Sequence, residues 1–194
     1  VISDSENALA LAGIMGGLDS SVTMQTQSVF LESAFFNPTS ISGVGRKFGI
    51  QSDSSFRFER GVDFNLPLQA LNRASQLILE IAQGKASDII ECTHEEALPK
   101  IVPIALSYDR VVKLLGYAIS IDSIQAILDS LGCLVELKET IFKVTPPSYR
   151  FDLKIEEDLI EEICRVVGYD NIPMSLPNFH TNPASSNEMQ VPLA

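Results

Sequence analysis

The sequence predicts an α+β fold arranged as two successive units. Three observations lead there. Apolar residues repeat at helical spacing over 71–81 and again over 155–167. Short apolar runs bounded by turn residues stand at 29–36, 101–106, 133–137 and 141–144. Ala97-Leu98-Pro99 marks the break after which the second unit begins. The 194 residues allow one or two domains, by a prior of roughly 150 residues each, and the 45% hydrophobic content is enough to build cores.

In the first unit, Leu9–Gly17 is an apolar, glycine-rich run that reads as buried. Val29–Leu31 and Ser33–Phe36 read as strand. Asn37-Pro38-Thr39-Ser40 is a turn that leads into a short helix at Ile41. Gly43, Gly45 and Gly49 keep the next stretch from forming a long helix, because glycine loses the most backbone entropy there. Pro67 suits a first helical turn, where its missing N–H costs nothing. From there Leu71, Ala74, Leu77, Ile78 and Ile81 form one apolar face of about four turns, and Gly84 ends the helix.

In the second unit, Ile101–Leu106 reads as a strand, with Pro103 arguing for an edge position or a late start. Ser107 caps a helix to Leu115 that stops at Gly116, and Ser120 caps another to Leu131 that stops at Gly132. Cys133–Leu137 and Ile141–Val144 are two apolar runs across a polar turn, the mark of a hairpin. Pro146-Pro147 forces an extended link. Ile155, Leu159, Ile163 and Val167 form the ridge of a last helix closed by Gly168. Strand, helix, helix, strand, strand, helix is the order of a small winged-helix-like domain.

Charge narrows the function. The net charge is −11, with 12 acidic against 6 basic residues before Pro99 and 13 against 8 from there on. Autonomous binding to nucleic acid is disfavoured in both halves, because phosphate contacts need the opposite sign. A non-catalytic winged-helix-like interaction module is the alternative reading of the second unit. The three cysteines, Cys92, Cys133 and Cys164, match no disulfide framework and no zinc spacing. Cys133 and Cys164 read as core filling. No run reaches the roughly 18 apolar residues of a membrane span, and no basic secretory n-region opens the chain. A reducing cytoplasm is the default location. Val1 in place of a start Met, and the polar stretch Asn178–Ala194, suggest a piece of a longer polypeptide.

The densest chemistry lies in 149–165, which holds six carboxylates. Asp158, Glu161 and Glu162 are related by three- and four-residue spacings and share a helix face, with Asp152 placed to fold back over the first turn. Two readings stand. One is a solvated acidic face near a helix N-terminus, eased by pairs from Glu161 and Glu162 to Arg165. The other is an oxygen-only site for a hard cation, for which Mg²⁺ fits best.

Elsewhere, Gly13-Ile14-Met15-Gly16-Gly17 lacks the spacing of a dinucleotide or phosphate loop and reads as a tight turn or a close approach to a ligand. Arg57-Phe58-Glu59-Arg60-Gly61-Val62-Asp63 has two readings: a structural cluster in which Glu59 or Asp63 holds an arginine while Phe58 packs inward, which is the commoner use, or a phosphate site through Arg57 and Arg60. Ser52-Asp53-Ser54-Ser55 has no histidine near it, and His94 and His180 look like surface or linker residues, so a Ser-His-Asp triad is discouraged. Glu32, set between two apolar runs, is placed to recognise a phenol or an amine, or to form a half-buried salt bridge.

Four stretches together carry a family resemblance: Gly13–Gly17, Leu31-Glu32-Ser33-Ala34-Phe35-Phe36, Arg57–Asp63, and Tyr149-Arg150-Phe151-Asp152 running on to Asp158–Ile163 and Gly168–Pro173. In this order they resemble the beta subunit of bacterial phenylalanine–tRNA ligase. The resemblance divides the chain into the C-terminal part of the B3/B4 editing module (1–96), the B5 domain (97–174) and a linker toward a C-terminal region (175–194). It implies an (αβ)₂ tetramer that charges tRNA(Phe) with phenylalanine using ATP, with the aminoacylation site on the alpha subunit and ATP bound outside this chain. The beta subunit then supports tRNA binding and hydrolyses mischarged Tyr-tRNA(Phe).

By the same resemblance Asp152, Asp158, Glu161 and Glu162 are Mg²⁺ ligands, and Gly16, Glu32, Ser52 and Ser54 belong to the editing pocket. Glu32 takes the role of recognising the tyrosine hydroxyl. Ser52 stands where the family usually has threonine, and Ser54 where alanine is common. The family's pocket histidines fall upstream of residue 1, so the chain alone is expected not to deacylate.

Overall fold

The computed structural model describes residues 1–173, so His180 and the expected linker 175–194 lie outside the described residues. The chain begins with an antiparallel sheet in spatial order β1-β2-β3: β1 (Ile2–Ser3), β2 (Ala8–Leu11) and β3 (Met15–Gly16). Asp4 builds the first turn by accepting the N–H groups of Glu6 and Asn7 at 2.8 and 2.6 Å. Gly13 builds the second, with φ at +69°, and a Cβ there would come within 2.8 Å of Phe36.

Four helices follow. Asn37 caps α1 (Pro38–Ile41) by accepting the Thr39 N–H. The glycines at 43 and 49, both left-handed, hold α2 (Val44–Phe48) to barely more than a turn. Ser52 caps α3 (Asp53–Phe58), and Pro67 opens α4 (Pro67–Ala82).

The expected strands at 29–31 and 33–36 do not form; the segment is irregular, and Val29 and Phe30 are exposed. A strand needs a neighbour for its backbone groups, and none runs beside this stretch. Helix α3 was not expected, although Ser52 and Ser55 are an N-cap and N3 pair that bond each other reciprocally.

The second unit follows the expected order: β4 (Ile104–Ser107), α5 (Tyr108–Leu115), α6 (Ile121–Ser130), β5 (Leu134–Lys138), β6 (Ile141–Thr145) and α7 (Glu156–Val167). The strands pair antiparallel in the order β4-β6-β5, so the first strand lies against the last. Strand β4 starts at Ile104 because Pro103 has no N–H to give the ladder. Phe142 and Val144 point inward from the central strand while Ile141 and Lys143 face out. They meet Leu106, Val111, Leu115, Ile124, Leu128, Leu159 and Ile163 in one core. Cys133 is buried at its edge and Cys164 packs against it, whereas Cys92 is exposed.

The first unit is built differently. Ile14 and Ile41 are its buried apolar residues among those described, and α4 buries none. Leu77, Ile78, Leu79 and Ile81 of that helix stay exposed, so the amphipathic ridge forms but is not covered. The two units touch where Phe151 lies over Gly61, at which a Cβ would come within 2.9 Å of the ring.

Because Phe142 is fully buried in the centre of the second sheet, Phe142→Ala should cost that unit about 3–5 kcal/mol. Urea unfolding followed by circular dichroism measures it. A loss under about 1 kcal/mol would mean that the core described here is not the one that holds the unit together.

Candidate functional site

A cavity of about 370 Å³ opens beside the first sheet. Its walls come from the β2–β3 turn (Gly13, Ile14, Met15, Gly16), the irregular segment Glu32-Ser33-Ala34, Phe36, and Ser54 and Phe58 of α3. Phe36 and Phe58 meet edge to face, with centroids 5.0 Å apart at 83°, and set one wall rigidly. Thus Gly16, Glu32 and Ser54, which are far apart in sequence, line one space.

Ser52 does not line it; it works behind the wall. Its hydroxyl donates to the Ile14 carbonyl and accepts the Ser55 N–H at 3.1 Å. One side chain therefore caps α3 and ties it to the β2–β3 turn, which fixes Ser54 relative to Gly16. A Cβ at Gly16 would meet nothing within 4 Å, so no local clash demands glycine there. Glu32 is exposed, and among the described residues its carboxylate has no hydrogen-bond or ion-pair partner. It also borders a second cavity of about 560 Å³, on which Phe64, Ile90, Cys92 and His94 stand. Nothing in the sequence pattern signals that second space.

Within the Arg57–Asp63 segment, the guanidinium of Arg60 is engaged by its neighbours. Arg60 pairs with Glu59 at 2.7 Å, donates to the Phe56 carbonyl at 2.8 Å, and lies 3.5 Å from the Phe56 ring centroid.

The acidic segment divides its charges among separate partners. Arg150 grips Asp152 through two nitrogens, Nε to Oδ1 at 2.9 Å and Nη2 to Oδ2 at 2.6 Å. Its Nη1 also donates to Glu162 Oε2 at 3.0 Å. Arg165 reaches Glu162 from the next turn of the helix. Asp158 bends back onto the N-terminus of α7 and accepts the N–H groups of Lys154 and Ile155 at 2.8 and 3.0 Å. Glu161 faces solvent. Nearby, Glu156 accepts the Ser107 N–H at 2.8 Å, and Glu157 pairs with Arg110 at 2.8 Å.

The oxygen donors suit Mg²⁺ in kind. Their arrangement does not fit it: the lone pairs of Asp152 and Glu162 face guanidinium, and those of Asp158 face the helix backbone. Among the described residues, no group of three or more His, Cys, Asp or Glu side chains is placed to share a metal ion. Reading the sequence at helical spacings found Arg165 but missed Arg150. The available signal was an arginine two residues before Asp152, in a turn set by Pro146-Pro147.

Residues 1–83 match the model of the B3/4 domain, and residues 104–169 that of the tRNA synthetase B5 domain. The phenylalanine–tRNA ligase beta subunit of Acinetobacter baylyi is 53% identical over 178 residues, covering 91% of this chain and 22% of that protein. Its counterpart from Pseudoalteromonas translucida is 43% identical over all 194 residues, 24% of its length. The beta subunit of Pasteurella multocida is 42% identical over the same 194 residues, again 24% of its length.

The chain belongs to the phenylalanine–tRNA ligase beta-subunit family. It spans about a quarter of the length of the relatives it matches. Within that family frame, the cavity lies in the B3/4 match and the arginine-bound carboxylates in the B5 match.

Ser52→Ala removes the α3 cap and the tether to Ile14, so the Ser55 amide should exchange about 5- to 10-fold faster with solvent deuterium. Ser52→Thr should restore protection; equal rates in all three proteins would show that the hydroxyl holds nothing.

Arg165 and Arg150 hold the Glu162 carboxyl down to about 2 from the usual 4.5, while Arg150 likewise lowers Asp152. A depressed carboxyl stabilises the fold above its unfolded value and loses that contribution as pH falls toward 2. Stability should therefore decline from about pH 4.5 downward. In Glu162→Gln the decline should be shallower by urea titration, and an unchanged slope would contradict the pairing.

Proposed function

We propose that the chain works as part of the beta subunit of phenylalanine–tRNA ligase, and that its 370 Å³ cavity is one wall of a hydrolytic editing site for Tyr-tRNA(Phe). The observation that carries this is Glu32, a carboxylate without a partner among the described residues, facing the same space as Gly16 and Ser54. A tyrosine side chain brings a phenol O–H that Glu32 accepts; phenylalanine brings nothing. A site built around that hydrogen bond separates the two far better than a pocket that sorts by size. The Phe36 and Phe58 rings give the tyrosyl ring an aromatic wall. Water attacks the ester carbon, and tyrosine and tRNA(Phe) leave. Ser52 takes no direct part and holds the wall in shape.

The partners belong to the same proposal: an alpha subunit in an (αβ)₂ tetramer, tRNA(Phe), and ATP bound outside this chain. The charge of −11 agrees with tRNA contacts made mainly by other parts of such an assembly. Among the described residues no helix is long and apolar enough to cross a membrane, and the cytoplasm is the proposed location. No ligand role is derived for the four carboxylates, since arginines and backbone amides hold three of them.

In the full αβ enzyme, Glu32→Ala should reduce kcat/KM for Tyr-tRNA(Phe) deacylation by about 10- to 100-fold, the worth of one hydrogen bond to a charged group. Phenylalanine charging should stay unchanged. Unaltered deacylation would remove Glu32 from the site. The 194 residues alone should not deacylate Tyr-tRNA(Phe), because among the described residues no histidine lines the cavity and Met15 at its rim is 47% exposed.

A further inference from the structure

The family resemblance puts Mg²⁺ on Asp152, Asp158, Glu161 and Glu162, whereas the structure puts Arg150 between two of them. We propose that Arg150 is the resident counter-ion of the Asp152–Glu162 pair, and that it excludes a divalent cation from this cluster in the folded chain.

Three observations support this. The guanidinium makes a two-nitrogen fork on Asp152 and a third bond to Glu162, a planar match that no single hydrated cation reproduces with those oxygens. Arg150 is also held in position before it binds. Its N–H donates to the Pro147 carbonyl at 3.0 Å, and its carbonyl accepts the Leu153 N–H at 3.3 Å. The flanking side chains are anchored as well: Leu153 is buried in the core and Phe151 lies over Gly61. A counter-ion on a fixed turn acts at high effective concentration and loses little entropy on pairing. Mg²⁺ competes poorly on those terms, because it gives up its water reluctantly and wants near-octahedral geometry. Glu162 is moreover already shared with Arg165, and Asp158 with two backbone amides.

Arg150 is here a positioning residue: it ties the turn at 147–153 to α7 and leaves the cluster no room for a cation. This inference is independent of the editing reading. A metal found in the cluster would leave the Glu32 experiment unaffected, and an inactive Glu32 would leave this one unaffected.

The test is a thermal melt of the 194-residue chain in EDTA and in 10 mM MgCl₂ at matched ionic strength, for wild type, Arg150→Lys and Arg150→Met. Wild type and Arg150→Lys should shift by less than about 1 °C with Mg²⁺. Arg150→Met should melt several degrees lower in EDTA and recover by about 5 °C in Mg²⁺, because Asp152 is then free, Glu162 keeps only Arg165, and the ion replaces the lost positive charge between them. A saturable wild-type shift of that size, or an Arg150→Met protein no more responsive than wild type, would overturn the proposal. If Arg150→Met does not fold, Mn²⁺ titration of wild type by amide NMR decides. Saturable broadening around Asp152 and Glu162 at submillimolar Mn²⁺ counts against it, and its absence counts for it.

Discussion

Helix α7 begins where like charges crowd most, and the second unit is assembled around how those charges are neutralised. Glu156 takes the Ser107 N–H, so the start of α7 is fastened to the junction of β4 and α5. Glu157 and Arg110 bridge α7 to α5. Asp158 satisfies two backbone donors at the helix N-terminus, where the dipole favours a carboxylate. Glu162 and Asp152 close on Arg150 and bring in the turn that carries Leu153 into the core. These contacts differ in worth. The Arg110–Glu157 pair is exposed and contributes about 0–1 kcal/mol. Glu162 is 12% exposed and Arg150 20%, so their pair is the most sheltered of these contacts, with Arg165 and Asp152 as the further partners of each. The acidic run therefore acts less as a solvated face than as a set of ties orienting one helix against a strand, a helix and a turn.

The two units rest on different physics. The second has a sheet face and three helices enclosing fully buried Phe142, Leu106, Ile124, Leu128 and Leu159. The first has short strands, helices of one or two turns and a long helix with no buried residue. What holds its cavity in shape is local: the Gly13 turn, the Ser52 tether and the Phe36–Phe58 contact. Such devices place side chains accurately without burying much area. They supply little cohesion of their own.

Legibility in the sequence followed the same division. Helices α4, α5, α6 and α7 and the β5–β6 hairpin were readable because a periodic apolar face and a glycine or proline stop coincide in each. The stretch 29–36 was misread because an apolar run signals strand only where another strand is available to pair with it. Ser52-Asp53-Ser54-Ser55, whose hydroxyls have no histidine near them in sequence, is the start of α3, with Ser52 capping and Ser55 reciprocating. Arg150 escaped because ion pairs were sought at three- and four-residue spacings, whereas it approaches Glu162 from 12 residues upstream by way of a turn. Gly16, Glu32 and Ser54 share no local pattern; each stands out separately at most, only the family resemblance groups them, and the cavity they line is a property of tertiary packing.

The exposed state of Glu32 bears on how selection is achieved. A carboxylate open to water exchanges one hydrogen bond for another when it meets a phenol, and the net gain is small. Strong discrimination arises only when an unmatched carboxylate is left dry, so that phenylalanine leaves it unsatisfied. The wall described here supplies the acceptor and the aromatic surface, but not the dryness. On the proposed editing role, strong selection would require a second surface over Glu32 in the full assembly. Met15, exposed at the cavity rim, is consistent with such a cover. On this view selectivity belongs to the closed assembly, while the residues of this chain determine which hydroxyl it can recognise.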